Sequence, residues 1–160
     1  MVNIFRTLEF LGLSLWLGSD LFLSFVVAPG AFRVLAPDRD QAGAIVGFAL
    51  TKMHLIGIVC GLMVLLVRLL RTKSAAGLVA PAALCIVLML ALTAGSQLAV
   101  TPKMAALRTQ MGSIQATAGD SPLLAEFAKL HQISVSLESG VLLAGCTCIF
   151  LMVRESAKAS

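Results

Sequence analysis

The sequence predicts an all-α fold: an integral membrane four-helix bundle whose helices extend beyond the outer membrane face. Three observations predict it. Hydrophobic residues make up 59% of the 160-residue chain and charged residues only 12%, against about 45–50% and about 25% in a soluble domain. Four apolar stretches, 8–28, 44–67, 78–100 and 130–153, each reach the roughly 20 residues that a helix needs to cross a bilayer. None of them alternates apolar and polar residues, the pattern a membrane β-barrel requires. The length is that of one domain, 1–160, and no internal repeat or low-complexity tract stands out.

The first helix, about 8–28, follows Arg6 and has the outline of a secretory signal. Its apolar run is too long for one, and Glu9 and Asp20 interrupt it, so it reads as a membrane span. The second, about 40–71, opens beside Asp38 and Asp40, acids that suit a helix N-terminus. It carries Gly57 and Gly61, a GxxxG pair that lets helices approach closely. The third, about 78–101, ends at Thr101 and Pro102. Beyond it Met104, Leu107, Met111 and Ile114 recur at three and four residues, with Lys103, Arg108 and Gln115 elsewhere on the wheel. The stretch 103–115 is therefore amphipathic, either continuing the third helix or lying on the outer surface. The fourth helix, about 122–154, starts with Ser121 as cap and Pro122 at its first position. It is longer than the hydrocarbon core, so its first turns stand outside the membrane.

Lys and Arg near the helix ends set orientation. One side holds Arg6, the tight cluster Arg68, Arg71 and Lys73, and then Arg154 and Lys158. The other holds Arg33, Arg39, Lys103 and Arg108, spread over longer loops. The cluster places both termini in the cytoplasm, in a bacterial-type inner (plasma) membrane. The net charge of +4 then belongs to membrane orientation, because no basic stripe with interleaved aromatics suggests nucleic acid. No phosphate loop, nucleophile elbow or Ser–His–acid order is present, and no catalytic residue is assigned.

The polar residues inside the spans carry what chemistry there is. A charge within a bilayer is costly and usually faces the bundle interior, where it finds a partner. Glu9, Trp16, Asp20 and Ser24 share one face of the first helix, bordered by Gly12 and Ser19. His54 lies on the Gly47, Gly61 face of the second helix, and Lys52 points away from it toward the headgroups. The third helix adds Thr93, Ser96 and Gln97, and the fourth adds His131, Ser134 and Glu138. Counted from Arg6, Arg68 and Arg154, Asp20, His54 and Glu138 all lie about 21–24 Å from the cytoplasmic side. Asp20 is thus expected to pair across the bundle with His54, Glu138 or both. Two carboxylates and an imidazole suit a metal ion, so Asp20, His54 and Glu138 are the candidate metal ligands, supported by Thr93 and Gln97. They equally suit a shared, relayed proton, or a hydrogen-bonded knot that fixes helix packing.

Two further readings stay open. His54 and His131 are the two histidines of the chain, and together they form the candidate pair for a b-type haem. The same helical count places His131 about 13 Å farther out than His54, which opposes that pairing. Cys60, Cys85, Cys146 and Cys148 form neither a CxxC motif nor a disulfide framework, and are expected as small buried hydrophobes. A soft-metal path would use Cys60 and Cys85 with Met63 and Met89.

Trp16-Leu17-Gly18, Val27-Ala28-Pro29 with Phe32-Arg33, Ala42-Gly43, Thr101-Pro102 with Met104 and Arg108, and Phe127 through His131 and Ser134 together resemble the transmembrane protein 205-like family. The resemblance covers nearly the whole chain. It implies a small four-helix membrane protein and, through a eukaryotic relative associated with platinum-drug resistance, metal handling or trafficking. A more distant similarity is to copper-resistance-D-like and HemJ-type membrane proteins, which also carry Trp and Gly in an early helix. In the HemJ type a histidine precedes that Trp by about two turns, where this chain has Glu9 and Phe10. The leading expectation is a non-enzymatic membrane protein whose polar layer binds a cation or proton. The rival is a structural or accessory subunit, in a homo-oligomer or larger membrane complex, that packs through Gly57, Gly61, Gly140 and Gly145.

Overall fold

The computed structural model describes residues 2–157. Lys158, one of the cations counted above, lies outside them. Four long helices make up the fold, and no strand occurs among the described residues. Helix α1 covers residues 2–34 as an α-helical segment Val2–Phe22, a π-helical turn Leu23–Val27 and a second α-helical segment Ala28–Val34. Helix α2 is Arg39–Thr72. Helix α3 is Pro81–Met111, with a π-helical turn at Ser96–Val100. Helix α4 is Pro122–Ala157. All four are long and apolar enough to cross a membrane. The helices therefore run well past the expected 8–28 and 78–101 at one or both ends, and a short 3₁₀ turn, Ala75–Leu78, precedes α3.

Connections this short make sequential helices antiparallel neighbours. Helix α1 packs on α2, α2 on α3, α3 on α4, and α4 returns to α1, closing a ring. The core inside it is built from Leu13, Trp16 and Leu17 of α1, Cys60 and Val64 of α2, Ile86 and Met89 of α3, and Val141 and Cys148 of α4. The outward faces carry exposed apolar side chains such as Leu15, Phe25, Val59, Leu88 and Leu143. This is the inversion that lipid permits: the surface needs no polar groups, while every backbone N–H and C=O must be bonded within the helices.

The two π turns have one cause. Proline has no N–H, and its ring presses on the carbonyl four residues back. For Pro29 that carbonyl belongs to Phe25, and for Pro102 to Leu98; both sit inside the π turns. The wider turns shift the bonding by one residue, so Ala28 N–H donates to Leu23 O and Thr101 N–H to Ser96 O. Helix α3 consequently passes through Pro102 without ending. The stretch 103–115 continues α3 to Met111 instead of forming a separate surface helix, with Leu107 buried and Met104, Met111 and Ile114 half-buried. A correspondence that composition does not reveal also emerges. Asp20 and Thr93 each stand nine residues before the proline of their helix, and both are buried.

Caps hold the outer end. Asp38 caps α2, its Oδ1 accepting from Gln41 N–H at 2.9 Å. Asp40 accepts from Ser113 Oγ and from Ile114 N–H, and Arg39 N–H donates to Gln115 Oε1 at 3.0 Å. The loop between α3 and α4 is thereby tied down over the start of α2.

Candidate intramembrane polar site

The sequence brings four helices to one level, and the fold turns three of their polar side chains onto one another. His54 of α2 is fully buried. Its Nδ1 lies 2.8 Å from Gln97 Oε1 of α3, and its Nε2 lies 2.6 Å from Glu138 Oε1 of α4. An amide oxygen only accepts, so Nδ1 carries a hydrogen and donates to Gln97. One proton then occupies the bond between Nε2 and Glu138. It sits either on the carboxyl, facing a neutral imidazole, or on an imidazolium facing a carboxylate. A single imidazole ties α2, α3 and α4 together.

Asp20 of α1 is also fully buried and lies within electrostatic reach of Glu138 and His54. It hydrogen-bonds to neither. Its Oδ1 accepts from Ser24 Oγ at 3.3 Å, one turn along α1, and its Oδ2 has no protein partner. Thr93 Oγ1 and Ser96 Oγ are buried without partners as well, and so is Trp16 Nε1, one turn from Asp20. Buried polar atoms are nearly always bonded to protein or water, which makes this group unusual. The expected pairing of Asp20 with His54 or Glu138 is therefore met as proximity and not as a direct bond.

The surroundings of the layer are asymmetric. Toward the chain termini the interior is Leu13, Trp16, Cys60, Val64, Met89, Val141 and Cys148, with no charge until Glu9. Toward the loops at 35–38 and 112–121 buried apolar side chains, Leu23, Ala42, Val100 and Leu107, alternate with polar ones, Ser24, Thr51, Thr101, Ser134 and finally Arg108. By its spacing Arg108 lies elsewhere on the wheel than the apolar stripe of Met104, Leu107 and Met111. The structure turns it inward, its guanidinium against Gly43 of α2 and 5.8 Å from the Phe127 ring of α4. The glycine at position 43 gives it room: a Cβ there would stand 2.9 Å from Arg108 Nη2, and the guanidinium would have to shift.

The other candidates separate from the layer. His131 is exposed on α4, two turns or about 10 Å along the axis from Glu138. It is not brought to His54, whose two ring nitrogens are already engaged. Among the described residues no group of three or more His, Cys, Asp and Glu side chains is arranged to hold a metal ion. Cys60 and Cys148 are buried as expected, and Cys148 Sγ donates to Ala82 O at 3.3 Å. Cys146 instead faces outward, and so does Met63, because two residues along a helix turn the side chain through about 200°.

A second polar cluster was not foreseen as one. Arg68 and Arg71 were read as orientation signals and Glu9 as part of the α1 stripe. They form an ion-pair network at the terminal end of the bundle. Arg71 Nε donates to Glu9 Oε1 at 2.7 Å, and Arg68 donates to Glu155 at 2.6 and 2.8 Å and to Gly77 O at 3.0 Å. The signal available in the sequence was that each of these charges lies within two turns of an apolar run, at the same end of the bundle.

Comparison with known proteins adds one finding to this geometry. Residues 11–113 match the family described as Domain of unknown function (DUF4149). That range takes in Asp20, His54, Gln97 and Arg108 and stops before α4, so Glu138 lies outside it. No curated protein and no solved structure matches the chain.

Proposed function

The chain belongs to the DUF4149 family, and on that premise we propose that this integral membrane protein holds and relays a proton in the layer formed by Asp20, His54, Gln97 and Glu138. The observation that carries the reading is the imidazole bonded on both nitrogens, with one exchangeable proton in its 2.6 Å bond to Glu138. Asp20 is the second station. Its free Oδ2 carries a proton in one state and releases it in the other. Thr93 and Ser96, on the same stretch of α3 as Gln97, offer hydroxyls that both donate and accept. The polar side chains from Ser24 to Arg108 favour access from the end bearing the 112–121 loop, while Trp16 and Met89 seal the other. A bound cation is the alternative occupant of the layer, in keeping with the resemblance to transmembrane protein 205-like proteins. The missing third direct ligand favours the proton.

In this reading the protein sits in a cell's inner (plasma) membrane with both termini in the cytoplasm. The support is the tight basic cluster Arg68, Arg71 and Lys73 in a short connection, against Arg33, Arg39, Lys103 and Arg108 spread over the longer loops of the other side. A cysteine introduced at Lys73 should then react with an impermeant thiol reagent from the cytoplasmic face only.

The test of the relay uses the purified chain in sealed liposomes with an entrapped pH dye. An imposed potential should drive proton uptake by the parent, and Asp20→Asn and Glu138→Gln should each reduce it at least about tenfold, as expected when a relay group is lost. Infrared difference spectra between acid and alkaline buffers should show a carboxyl band that disappears in Asp20→Asn. A parent with no flux and no titrating carboxyl band would make the layer a packing knot.

A further inference from the structure

At the terminal end of the bundle, α1, α2 and α4 enclose a cleft of about 170 Å³ lined by Arg6, Glu9, Phe10, Arg71 and Glu155, among others. Its own lining pairs two arginines with two glutamates, but Arg68, buried behind it, shares those glutamates. Arg71 is held by Glu9, and Arg68 by Glu155. Arg6 remains, a third guanidinium with no carboxylate partner among the described residues. Arg68 is itself only 2% exposed, and its Nη1 has no hydrogen bond, with Glu9 Oε2 3.7 Å away. Among the described residues, three cations against two carboxylates leave one uncompensated positive charge in a partly desolvated place, where it is costly.

The level of the cleft says what neutralises it. Ile4, Leu70 and Val153, on the three helices that form it, are exposed and apolar. Lipid chains therefore reach this end of the bundle, and the cleft opens where their headgroups lie. Arginine's planar fork suits phosphate oxygens, and basic pockets between membrane helices are places where anionic headgroups bind.

We propose that this cleft binds the singly charged phosphodiester of an anionic membrane lipid, its oxygens accepting hydrogen bonds from the Arg6 and Arg71 guanidiniums. The lipid closes the charge balance of the Glu9, Arg68, Arg71 and Glu155 network and fastens α1 to α2 and α4. It is a site apart from the proton layer, on the far side of the Trp16 and Met89 core.

Native mass spectrometry of the full chain in neutral detergent, titrated with phosphatidylglycerol or phosphatidylcholine, tests this. One phosphatidylglycerol should be retained, at least about tenfold more tightly than phosphatidylcholine. Arg6→Gln should weaken it about tenfold, the loss of one charged hydrogen-bonding partner, and Arg6→Lys should lose less. Arg33→Gln, at the opposite end, should bind as the parent does. Because Arg6 has no ion-pair partner among the described residues, thermal unfolding of lipid-free Arg6→Gln should match the lipid-free parent. Equal retention of the two lipids, or unchanged binding in Arg6→Gln, overturns the proposal. So does displacement of the lipid by an equal concentration of inorganic phosphate, which would assign the cleft to a soluble anion.

Discussion

His54 shows what one side chain can do once its surroundings are dry. In water an imidazole exchanges partners freely. Between Gln97 and Glu138 it has two, both fixed, and each holds a different helix. His54→Ala would strand both. The Glu138 carboxyl is 12% exposed and would be left without its partner. Leaving such a buried group unpaired costs about 1–3 kcal/mol, and unfolding of the variant in mixed micelles should show a loss of that size. Glu138→Gln should be much milder, because an amide still bonds the imidazole. The contrast separates stability from proton handling: the glutamine variant should stay folded while flux falls. Parallel losses in both variants would tie the layer to packing alone.

At the scale of the element, the decisive contact lies between α1 and α2. Trp16 lies across Gly57 and Gly61, and a Cβ at Gly61 would stand 2.6 Å from its ring. Gly12 of α1 in turn meets Val64 of α2, where a Cβ would stand at 2.8 Å. Gly145 receives Leu17 of α1. The small-residue faces that suggested docking to another protein are thus occupied inside this chain, at Gly57, Gly61 and Gly145. Gly57→Leu should force the two helices apart and cost about 1–3 kcal/mol by overpacking. Gly18→Ala, where an added Cβ meets nothing within 4 Å, should cost nothing. Helix-pair distances from spin labels on α1 and α2 would check both; an unshifted distance in Gly57→Leu would refute the interlock.

The whole molecule is closed at its two ends by different devices. The loop end is held by neutral and charge-assisted hydrogen bonds to Asp40 and Gln115. The terminal end is held by buried arginine–carboxylate pairs linking α1, α2 and α4. Glu9 and Glu155 contribute unequally because their exposure differs, 2% against 35%. Glu9→Gln strands a buried cation and should cost about 3 kcal/mol. Glu155→Gln leaves the buried Arg68 without its carboxylate, but water reaching the 35%-exposed position 155 relieves part of that, so it should cost less than Glu9→Gln. Equilibrium unfolding at low salt would rank them, and an equal or reversed ranking would show that the buried pair does not brace this end. With the layer between these two closures, the molecule has a mixed polar and apolar interior toward the loops and an apolar one toward the termini until Glu9.

Membrane insertion, the four helices and the level of the polar residues were legible in the sequence. Each depends only on quantities the chain carries locally: apolar run length, a rise of about 1.5 Å per residue, and the cost of charge in hydrocarbon. Asp20, His54 and Glu138 could be put at one depth for that reason. Which of them touch was a matter of rotation about four helix axes, and one-dimensional spacing does not contain it. Rotation was decided by Trp16 seating on Gly57 and Gly61, and by Leu17 seating on Gly145. The same packing turned Arg108 inward, left His131 outside, and made a network of Glu9, Arg68, Arg71 and Glu155. The passage of α3 through Pro102 likewise needed the fold, because a proline reads as a helix end until a π turn relieves its clash. The sequence by itself determined the solvent and the depths; only the tertiary structure decided the partners, since pairing depends on how four helix faces lock together.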